Sequence, residues 1–122
     1  MKFETNTPIY IQLVEEIIIA VISGNLKPGE KLPSVREFSL QKKVNPNTMQ
    51  KALAELENLN LIYTERTNGK YVTNDIKIIK EYKNKYAKKI TNNYITNMLN
   101  LGYEKEKIVE IIKESEEKWW NY

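Results

Sequence analysis

Residues 34–53 read SVREFSLQKKVNPNTMQKAL, and this stretch decides the fold. Ser34 and Glu37 have the capping-box pattern, in which a serine caps a helix and a glutamate three residues later reaches back to it. Asn45 and Pro46 have the residue types of a second helix start, shortly after the first helix is expected to end. Two helices joined by so short a turn predict a helix-turn-helix unit.

The second helix of this unit has one apolar face and one polar face. Its core face is predicted from apolar residues at helical spacing, namely Met49, Ala52, Leu53 and Leu56. The opposite face is expected to be exposed and carries Asn47, Thr48, Gln50, Lys51 and Ala54. Most of these exposed side chains are polar and form hydrogen bonds, and the second helix of such a unit is the one that can enter a DNA major groove.

The residues before this unit predict another helix. Thr7 and Pro8 suit the N-cap and the first helical position, because the first turn does not need the N–H that proline lacks. The pair Ser23-Gly24 is typical of a helix end, and Pro28-Gly29 then predicts a turn. The predicted core stripe of this helix consists of Ile9, Leu13, Ile17, Ile18 and Val21.

The residues after the unit predict a β-hairpin. Asn68-Gly69 is the strongest short hairpin signal, because a type I′ turn needs positive φ at both central residues. The strands are expected within Leu59–Arg66 and Lys70–Thr73, with the tip at Thr67–Lys70. Three helices followed by a hairpin is the order of a winged helix-turn-helix, in which the hairpin is the wing. We therefore predict such a domain over residues 1–74.

The second half of the chain predicts two further helices, over residues 75–122. After the capping pair Asn74-Asp75, one long helix is indicated by a stripe at every fourth residue, formed by Ile78, Tyr82, Tyr86, Ile90, Tyr94 and Met98. Gly102 ends this helix. A second helix is indicated by the narrow seam of Ile108, Ile111, Ile112, Ser115 and Trp119. The predicted fold class is mainly α with a small β-hairpin, a winged helix-turn-helix domain followed by a two-helix hairpin.

The two C-terminal helices are expected to serve as an assembly region. Residues 76–90 contain six lysines and one glutamate, whereas residues 104–118 contain six glutamates and four lysines, so the helices are complementary in charge. Tyrosines at helical spacing are usually core or interface residues, although the same stripe could form a ligand cage. The terminal tryptophans would expose a large apolar area unless they pack on something, so we expect them to anchor the last helix against the long helix or against the partner subunit. The predicted dimer contacts are Tyr82, Tyr86, Ile90, Tyr94, Met98, Ile108, Ile111, Ile112, Trp119 and Trp120.

Composition argues against most kinds of active site. The 122 residues include neither histidine nor cysteine, which excludes an imidazole base, a thiol nucleophile and a Cys or His metal site. We expect no enzyme activity, cofactor or metal, because no paired acidic motif or phosphate loop is visible. The net charge of +3 is too small for a uniformly basic coat. The longest apolar run, Ile17–Ile22, is too short to cross a bilayer, and with no secretory signal readable we expect a cytoplasmic protein.

Four stretches resemble the N-terminal domain of GntR-type bacterial transcription regulators. In order and spacing they are PIYIQL at 8–13, GNLKPGEKLPSVR at 24–36, VNPNTMQKA at 44–52 and GKYV at 69–72. The Asn-Pro-Asn-Thr helix start and the short two-helix tail look like the YtrA branch, which lacks a large effector-binding domain. The resemblance implies a homodimeric DNA-binding regulator, often a repressor and commonly linked to operons for ABC-type transporters.

The resemblance also implies which residues contact DNA. Arg36 lies in a first helical turn, where a cation is unfavourable against the helix dipole, so either a DNA contact or a surface ion pair would explain it. Arg66 and Lys70 flank the wing turn and suit a phosphate or a minor groove, or equally the protection of an exposed strand edge. The predicted DNA-binding set is Ser34, Arg36, Asn45, Asn47, Thr48, Gln50, Lys51, Arg66, Asn68, Gly69 and Lys70.

Two positions depart from the pattern of the family. Thr67 replaces the first glycine of the usual Arg-Gly-x-Gly wing, so a tighter hairpin that enters the minor groove less deeply is expected. Leu53 replaces a tyrosine usual after the alanine of the second helix of the unit, which indicates a packing change.

These observations together predict a homodimeric regulator that binds a pseudo-palindromic operator in double-stranded DNA. The start of the third helix would enter the major groove, and the wing would lie at the minor groove. The alternative is a winged helix that serves as a protein-interaction module. The tail leaves open whether a small-molecule effector exists.

Overall fold

The computed structural model describes the backbone of residues 7–119 and the side chains of residues 7–115. Within that part of the chain, five helices and one two-stranded antiparallel hairpin confirm the predicted fold class. Their bounds are α1 Ile9–Ile22, α2 Val35–Lys42, α3 Pro46–Asn58, β1 Ile62–Glu65, β2 Gly69–Val72, α4 Ile76–Asn100 and α5 Lys105–Trp119. The chain divides into two compact units, residues 1–83 and 84–122, and the division falls within α4. None of the described helices is both long and apolar enough to span a membrane.

The start of α1 differs from the prediction by one residue. Pro8 is the N-cap, not the first helical residue, because its ψ of 147° lies outside the helical region. The predicted cap by Thr7 is therefore wrong, and no side chain caps this end of the helix. The backbone N–H groups of Ile11 and Gln12 instead donate to the Pro8 carbonyl, at 3.1 and 3.2 Å. The predicted end is confirmed, with Ser23 as the C-cap.

The core of the first unit lies where α1 and α2 pack against α3, and where α3 packs against β1. The predicted face of α3 is buried in full, and the α1 stripe is buried from Leu13 onward. Ile9 is an exception, since its side chain is 60% exposed in the first helical turn, before the buried stripe begins. The buried apolar residues of this unit are Leu13, Val14, Ile17, Ile18, Val21, Leu32, Phe38, Met49, Ala52, Leu53, Leu56, Leu61, Ile62 and Val72.

Side chains cap both helices of the helix-turn-helix, as predicted. The Ser34 hydroxyl accepts from the Glu37 N–H at 3.1 Å, and the Glu37 carboxylate accepts from the Ser34 N–H at 3.4 Å. The Asn45 side chain caps α3 by accepting from the Asn47 N–H at 2.7 Å. Between the two helices, Lys43 has the left-handed conformation, with φ 56° and ψ 47°. These contacts fix the turn that places α3 against α2.

The hairpin turn differs from the predicted type I′ turn. Glu65 pairs with Gly69 across the strands, so three residues, 66–68, form the loop. The Asn68 N–H donates to the Glu65 carbonyl at 3.3 Å, and Asn68 does not adopt the positive φ that a type I′ turn requires. Only the following Gly69, the first residue of β2, has a positive φ, of +106°, which glycine adopts without the steric cost of a side chain. The loop therefore covers residues 66–68 and not the predicted tip at Thr67–Lys70.

The strand before this turn is also shorter than predicted. It begins at Ile62 because Asn60 takes a left-handed φ of 62°, which turns the chain out of the extended conformation.

A third extended segment, residues 29–32, runs along the free edge of β2. The Gly29 N–H donates to Val72 O at 3.0 Å, the Val72 N–H to Glu30 O at 2.9 Å, and the Leu32 N–H to Lys70 O at 2.8 Å. An isolated β-bridge between Lys31 and Tyr71 completes this pairing. Because this segment leads directly into α2, it places the start of α2 beside the hairpin.

Three residues, Thr73–Asp75, join β2 to α4, and each is held by a hydrogen bond. The Thr73 N–H donates to Leu61 O at 2.9 Å, the Asn74 amide to the Tyr63 hydroxyl at 3.4 Å, and the Asp75 N–H to the Thr73 hydroxyl at 3.0 Å. Asp75 also caps α4 as predicted, since its carboxylate accepts from the Lys77 N–H at 3.0 Å. The joint between the hairpin and α4 is therefore short and ordered.

Candidate nucleic-acid interface

The first turns of α3 present a polar surface above the buried face of the helix. Asn47 and Gln50 are exposed, and Thr48 is half-buried. The Asn45 side chain is already used as the helix cap, so its carbonyl oxygen is turned toward the Asn47 N–H. Asn47 and Gln50 thus offer side-chain amides that both donate and accept, which is what reading a base edge requires.

Arg36 is exposed in the first turn of α2 and has no acidic partner in the described part of the chain. The carboxylate nearest in sequence, Glu37, is engaged in the capping box with Ser34. Among residues 7–115, no carboxylate forms an ion pair with Arg36. The ion pair that was the alternative explanation for this residue is thus missing from the described residues, and the guanidinium is available to an anion.

Lys51 is exposed on α3, and its ammonium lies over an aromatic ring. The distance from Lys51 Nζ to the centroid of the Tyr10 ring is 4.1 Å. Two other lysines of this region differ, because Lys42 is paired with Glu16 and Lys70 with Glu57. No carboxylate of the described residues pairs with Lys51, so within that part of the chain its charge is held in place without being neutralised.

The wing presents Arg66, Asn68 and Gly69 as exposed residues at or beside its tip. Lys70 differs, since its ammonium lies 2.5 Å from Glu57 Oε1 on α3 and 2.9 Å from the Thr64 hydroxyl. The Lys70 hydrogen bond lowers the pKa of the Glu57 carboxyl, with smaller contributions from Thr64 and the lysine charge, against an opposing effect of burial. The Lys70 side chain thus ties the wing to α3.

A groove of about 760 Å³ lies between the start of α2 and the hairpin. It brings the predicted residues Ser34, Arg66, Asn68, Gly69 and Lys70 to one surface. The groove is also lined by the N-terminal residues Ser34 and Val35 of the α2 region and by the carboxylates Glu37 and Glu65, and Glu37 already accepts from the Ser34 N–H at this helix end.

Lys31 also lines this groove but was not among the predicted contacts. Its Cε lies 3.6 Å from the position that a Cβ on Gly69 would occupy. Sequence reasoning missed this residue because Pro28 and Gly29 indicate only a turn there, whereas the segment pairs with β2. The signal that could have identified it was the position of this basic residue, three residues before Ser34 of the capping box.

The predicted dimer residues whose side chains the structure describes lie on α4 and α5, and most of them are exposed or half-buried. No residue of α4 is buried, and Ile90 is 64% exposed. On α5, Ile108 is buried whereas Ile112 is 45% exposed. The side chain of Trp119 and all of Trp120 lie outside the described residues, so the predicted anchoring by these tryptophans stays a prediction. The predicted residues that are half-buried are Tyr82, Tyr86, Tyr94, Met98 and Ile111.

Three features define the class of the protein: the helix-turn-helix, the hairpin with residues 29–32 paired along β2, and the polar exposed surface of α3. Together they define a winged-helix regulator that binds DNA. Residues 9–72 match the family described as bacterial regulatory proteins, gntR family. The match covers more than half of the chain, and the chain belongs to the GntR family. Within the described residues, no group of three or more acidic side chains is placed to hold a metal ion.

Two curated relatives resemble the chain over nearly its whole length. The HTH-type transcriptional regulator YhcF of Bacillus subtilis is 38% identical over 112 residues, 92% of this chain and 93% of that protein. The HTH-type transcriptional repressor YtrA of the same organism is 39% identical over 111 residues, 90% of this chain and 85% of that protein. Both belong to the YtrA-like subfamily, which confirms the predicted branch. The relatives are transcriptional regulators and not enzymes.

Solved structures give the same family. A GntR family transcriptional regulator from Listeria monocytogenes is 44% identical, with a TM-score of 0.84, over 92% of this chain and 98% of that chain. The DNA-binding domain of AraR, solved in complex with the operator ORR3, is 30% identical with a TM-score of 0.54, over 60% of this chain and 88% of that chain.

Proposed function

We propose that the protein is a homodimeric repressor that binds a pseudo-palindromic operator. The observation that carries this proposal is the exposed N-terminal half of α3, which presents Asn47, Gln50 and Lys51, together with an exposed Arg36 on α2 that forms no ion pair with the described carboxylates. In this proposal the start of α3 enters the major groove and the wing lies at the minor groove. AraR, whose DNA-binding domain is similar to this chain, was solved bound to an operator.

The predicted residues divide into two roles on the DNA. Asn47 and Gln50 are the proposed readers of base edges, because an amide can contact adenine through two hydrogen bonds. The other residues are the proposed backbone contacts, of which Lys70 would first have to leave Glu57. These positioning contacts are Ser34, Arg36, Asn45, Thr48, Lys51, Arg66, Asn68, Gly69 and Lys70.

Residues 1–74 form the DNA-binding domain in this proposal, and residues 75–122 assemble the dimer. The supporting observation is that α4 has no buried residue along its 25 positions although its stripe is apolar and aromatic. Such a helix needs a partner, since isolated helices have little stability of their own in water. A second copy is the fitting partner, because the basic start of α4 and the acidic α5 complement each other across a two-fold axis. Two-fold symmetry places the half-sites about 34 Å apart or a multiple of that distance.

Repression of a transporter operon is the finer part of the proposal. It is supported by the name of the relative YtrA, a transcriptional repressor. It is also supported by the resemblance to the YtrA branch, whose members are often repressors and commonly linked to operons for ABC-type transporters. The physical mechanism is competition, in which the bound dimer blocks polymerase at the promoter. Deletion of the gene should raise the transcripts of the regulated operon, and a fall would indicate an activator.

The experiment that tests the proposal is selection of bound sequences from random duplex DNA by the full chain. We expect an enriched pseudo-palindrome, and affinity for it that falls steeply with salt concentration, because phosphate contacts release counterions. Recovery of sequences with no common motif, together with a flat salt dependence, would contradict the proposal and favour a protein-interaction module.

A further inference from the structure

Tyr10 and Lys51 form a contact between α1 and α3 that the proposed DNA contacts do not by themselves explain. Tyr10 is the second residue of α1 and is half-buried, whereas Lys51 is exposed in the N-terminal half of α3. The lysine ammonium stands 4.1 Å from the centroid of the tyrosine ring. This is within the distance at which a cation is attracted to the face of an aromatic ring.

Both residues of this contact belong to helices whose neighbouring turns are buried in the core. Leu13 and Val14, one helical turn after Tyr10, are buried, and so are Ala52 and Leu53, which directly follow Lys51. Since α1 and α3 pack against each other, the ring and the lysine have anchors that do not move independently. The tyrosine therefore restricts a side chain that would otherwise sample many rotamers.

An aromatic partner also differs in kind from a carboxylate partner. Lys70 is paired with Glu57 and Lys42 with Glu16, so in both cases the positive charge is opposed by a negative one. A ring attracts the ammonium through its quadrupole and leaves the net charge unchanged. Lys51 also keeps N–H donors directed away from the ring, because an ammonium has three.

We infer that Tyr10 is a positioning residue for DNA binding, one that holds the Lys51 ammonium ordered and charged for a phosphate of the operator. The inference rests on the proposed function, because it requires that Lys51 contacts DNA. Its physical basis is preorganisation: a lysine that is ordered in the free protein loses less rotamer freedom when the phosphate arrives.

The test is a double-mutant cycle measured as operator affinity of the full chain. Tyr10→Phe keeps the ring and should change the affinity by less than about twofold, whereas Tyr10→Leu removes the ring and should weaken binding roughly two- to fivefold. Lys51→Ala should weaken binding as well. In the Lys51→Ala background, Tyr10→Leu should have no further effect, because the side chain through which it acts is gone.

Three outcomes overturn the inference, and they differ in what else they affect. An equal loss from Tyr10→Leu with and without Lys51 would mean that the tyrosine acts on its own. A loss from Tyr10→Phe as large as from Tyr10→Leu would mean that the hydroxyl is the active group. If Lys51→Ala bound the operator as tightly as the unsubstituted protein does, the Lys51 contact itself would be overturned, and with it that part of the proposed function.

A measurement on the free protein tests the geometry without DNA. The side-chain methylene protons of Lys51 should have NMR shifts moved upfield by the tyrosine ring current, and Tyr10→Leu should abolish that displacement while Tyr10→Phe preserves it. Absence of the displacement in the unsubstituted protein would overturn the inference directly. Should Tyr10→Leu fail to fold, Tyr10→Met supplies the same comparison, since methionine is flexible enough to fill an irregular gap.

Discussion

Glu57 of α3 and Lys70 of β2 are joined by an ion pair with 2.5 Å between Glu57 Oε1 and Lys70 Nζ. The pair links the helix proposed to read DNA with the wing proposed to lie beside it. The Thr64 hydroxyl, 2.9 Å from the same ammonium, adds a second contact within the hairpin. The position of the wing relative to α3 therefore depends on a titratable group.

Replacing Glu57 should cost stability only where the carboxyl is ionised. The Lys70 hydrogen bond lowers the pKa of Glu57 below its usual 4.5, so the pair stabilises the fold above that pH and loses its effect as the pH falls through the lowered value. We expect Glu57→Gln to reduce the free energy of unfolding by about 0.5 kcal/mol near neutral pH, since the pair is partly exposed. Denaturant unfolding at neutral and acidic pH measures this, with Glu55→Gln on the same helix as the control. A loss that persists in acid would contradict the assignment.

The capping box of α2 should be measurable through Ser34. Ser34→Ala removes the hydroxyl that accepts from the Glu37 N–H, and we expect a loss of about 1 kcal/mol in the free energy of unfolding. Ser34→Gly should cost less, a few tenths of a kcal/mol, because glycine is tolerated at this position. Urea unfolding of the unsubstituted protein and the two variants provides the comparison, and an unchanged free energy of unfolding in Ser34→Ala would show that the cap contributes nothing.

Two glycines separate backbone strain from steric contact. Gly24 and Gly29 have φ of +88° and +78°, so alanine at either should cost about 1 kcal/mol in backbone strain. A Cβ at Gly29 would also stand 2.6 Å from Asn74 Oδ1, whereas nothing lies within 4 Å of one at Gly24. We expect Gly29→Ala to be the more destabilising change in denaturant unfolding, and Asn74→Ala to remove the excess. The prediction is wrong if Gly29→Ala costs no more than Gly24→Ala.

Arg36 should contribute to DNA affinity through charge. If it contacts a phosphate, Arg36→Ala weakens operator binding and lowers the slope of log affinity against log salt by about one. Lys42→Ala is the matched control on the same helix, because Lys42 is already paired with Glu16. Fluorescence anisotropy at several salt concentrations gives both quantities. If Arg36→Ala left the salt slope unchanged and removed discrimination at a single base pair of the operator, Arg36 would read a base edge instead.

The proposed dimer should depend on Ile90. This residue is 64% exposed, so Ile90→Glu should leave the fold of the single chain intact while burying a charge in the dimer. We expect the dimer dissociation constant to rise by roughly tenfold or more, which sedimentation equilibrium can measure. Thr91→Glu, at the exposed neighbouring position, introduces the same charge as a control. Equal dissociation constants for the two variants would remove Ile90 from the interface.

Local sequence signals predicted the helix-turn-helix well because they act over three or four residues. Ser34 with Glu37, and Asn45 with Pro46, satisfy helix ends by contacts within one turn, and the structure has both. The buried face of α3 followed from its period for the same reason. Those contacts need no information about the rest of the chain.

The parts that sequence reasoning missed depend on distant partners. Asn68-Gly69 has the types of a two-residue turn, yet the pairing of Glu65 with Gly69 sets a three-residue loop. Lys70 looked like a free cation at the wing because its partner Glu57 is 13 residues away on another element. The pairing of residues 29–32 with β2, and the place of Lys31 in the groove, likewise come from tertiary contacts.

The short joint at Thr73–Asp75 has a consequence for how operators are chosen. A reading domain on a flexible tether meets its second half-site at an effective concentration set by the reach of the tether, and it accepts several spacings. Here only three residues connect the hairpin to α4, and each of them is hydrogen-bonded, so the connection at that point is not a flexible tether. One base pair inserted between half-sites turns the second site about 35° around the DNA axis. In the proposed dimer the joint adds no freedom between the hairpin and the start of α4, so we expect operators to be chosen partly by the spacing of their half-sites.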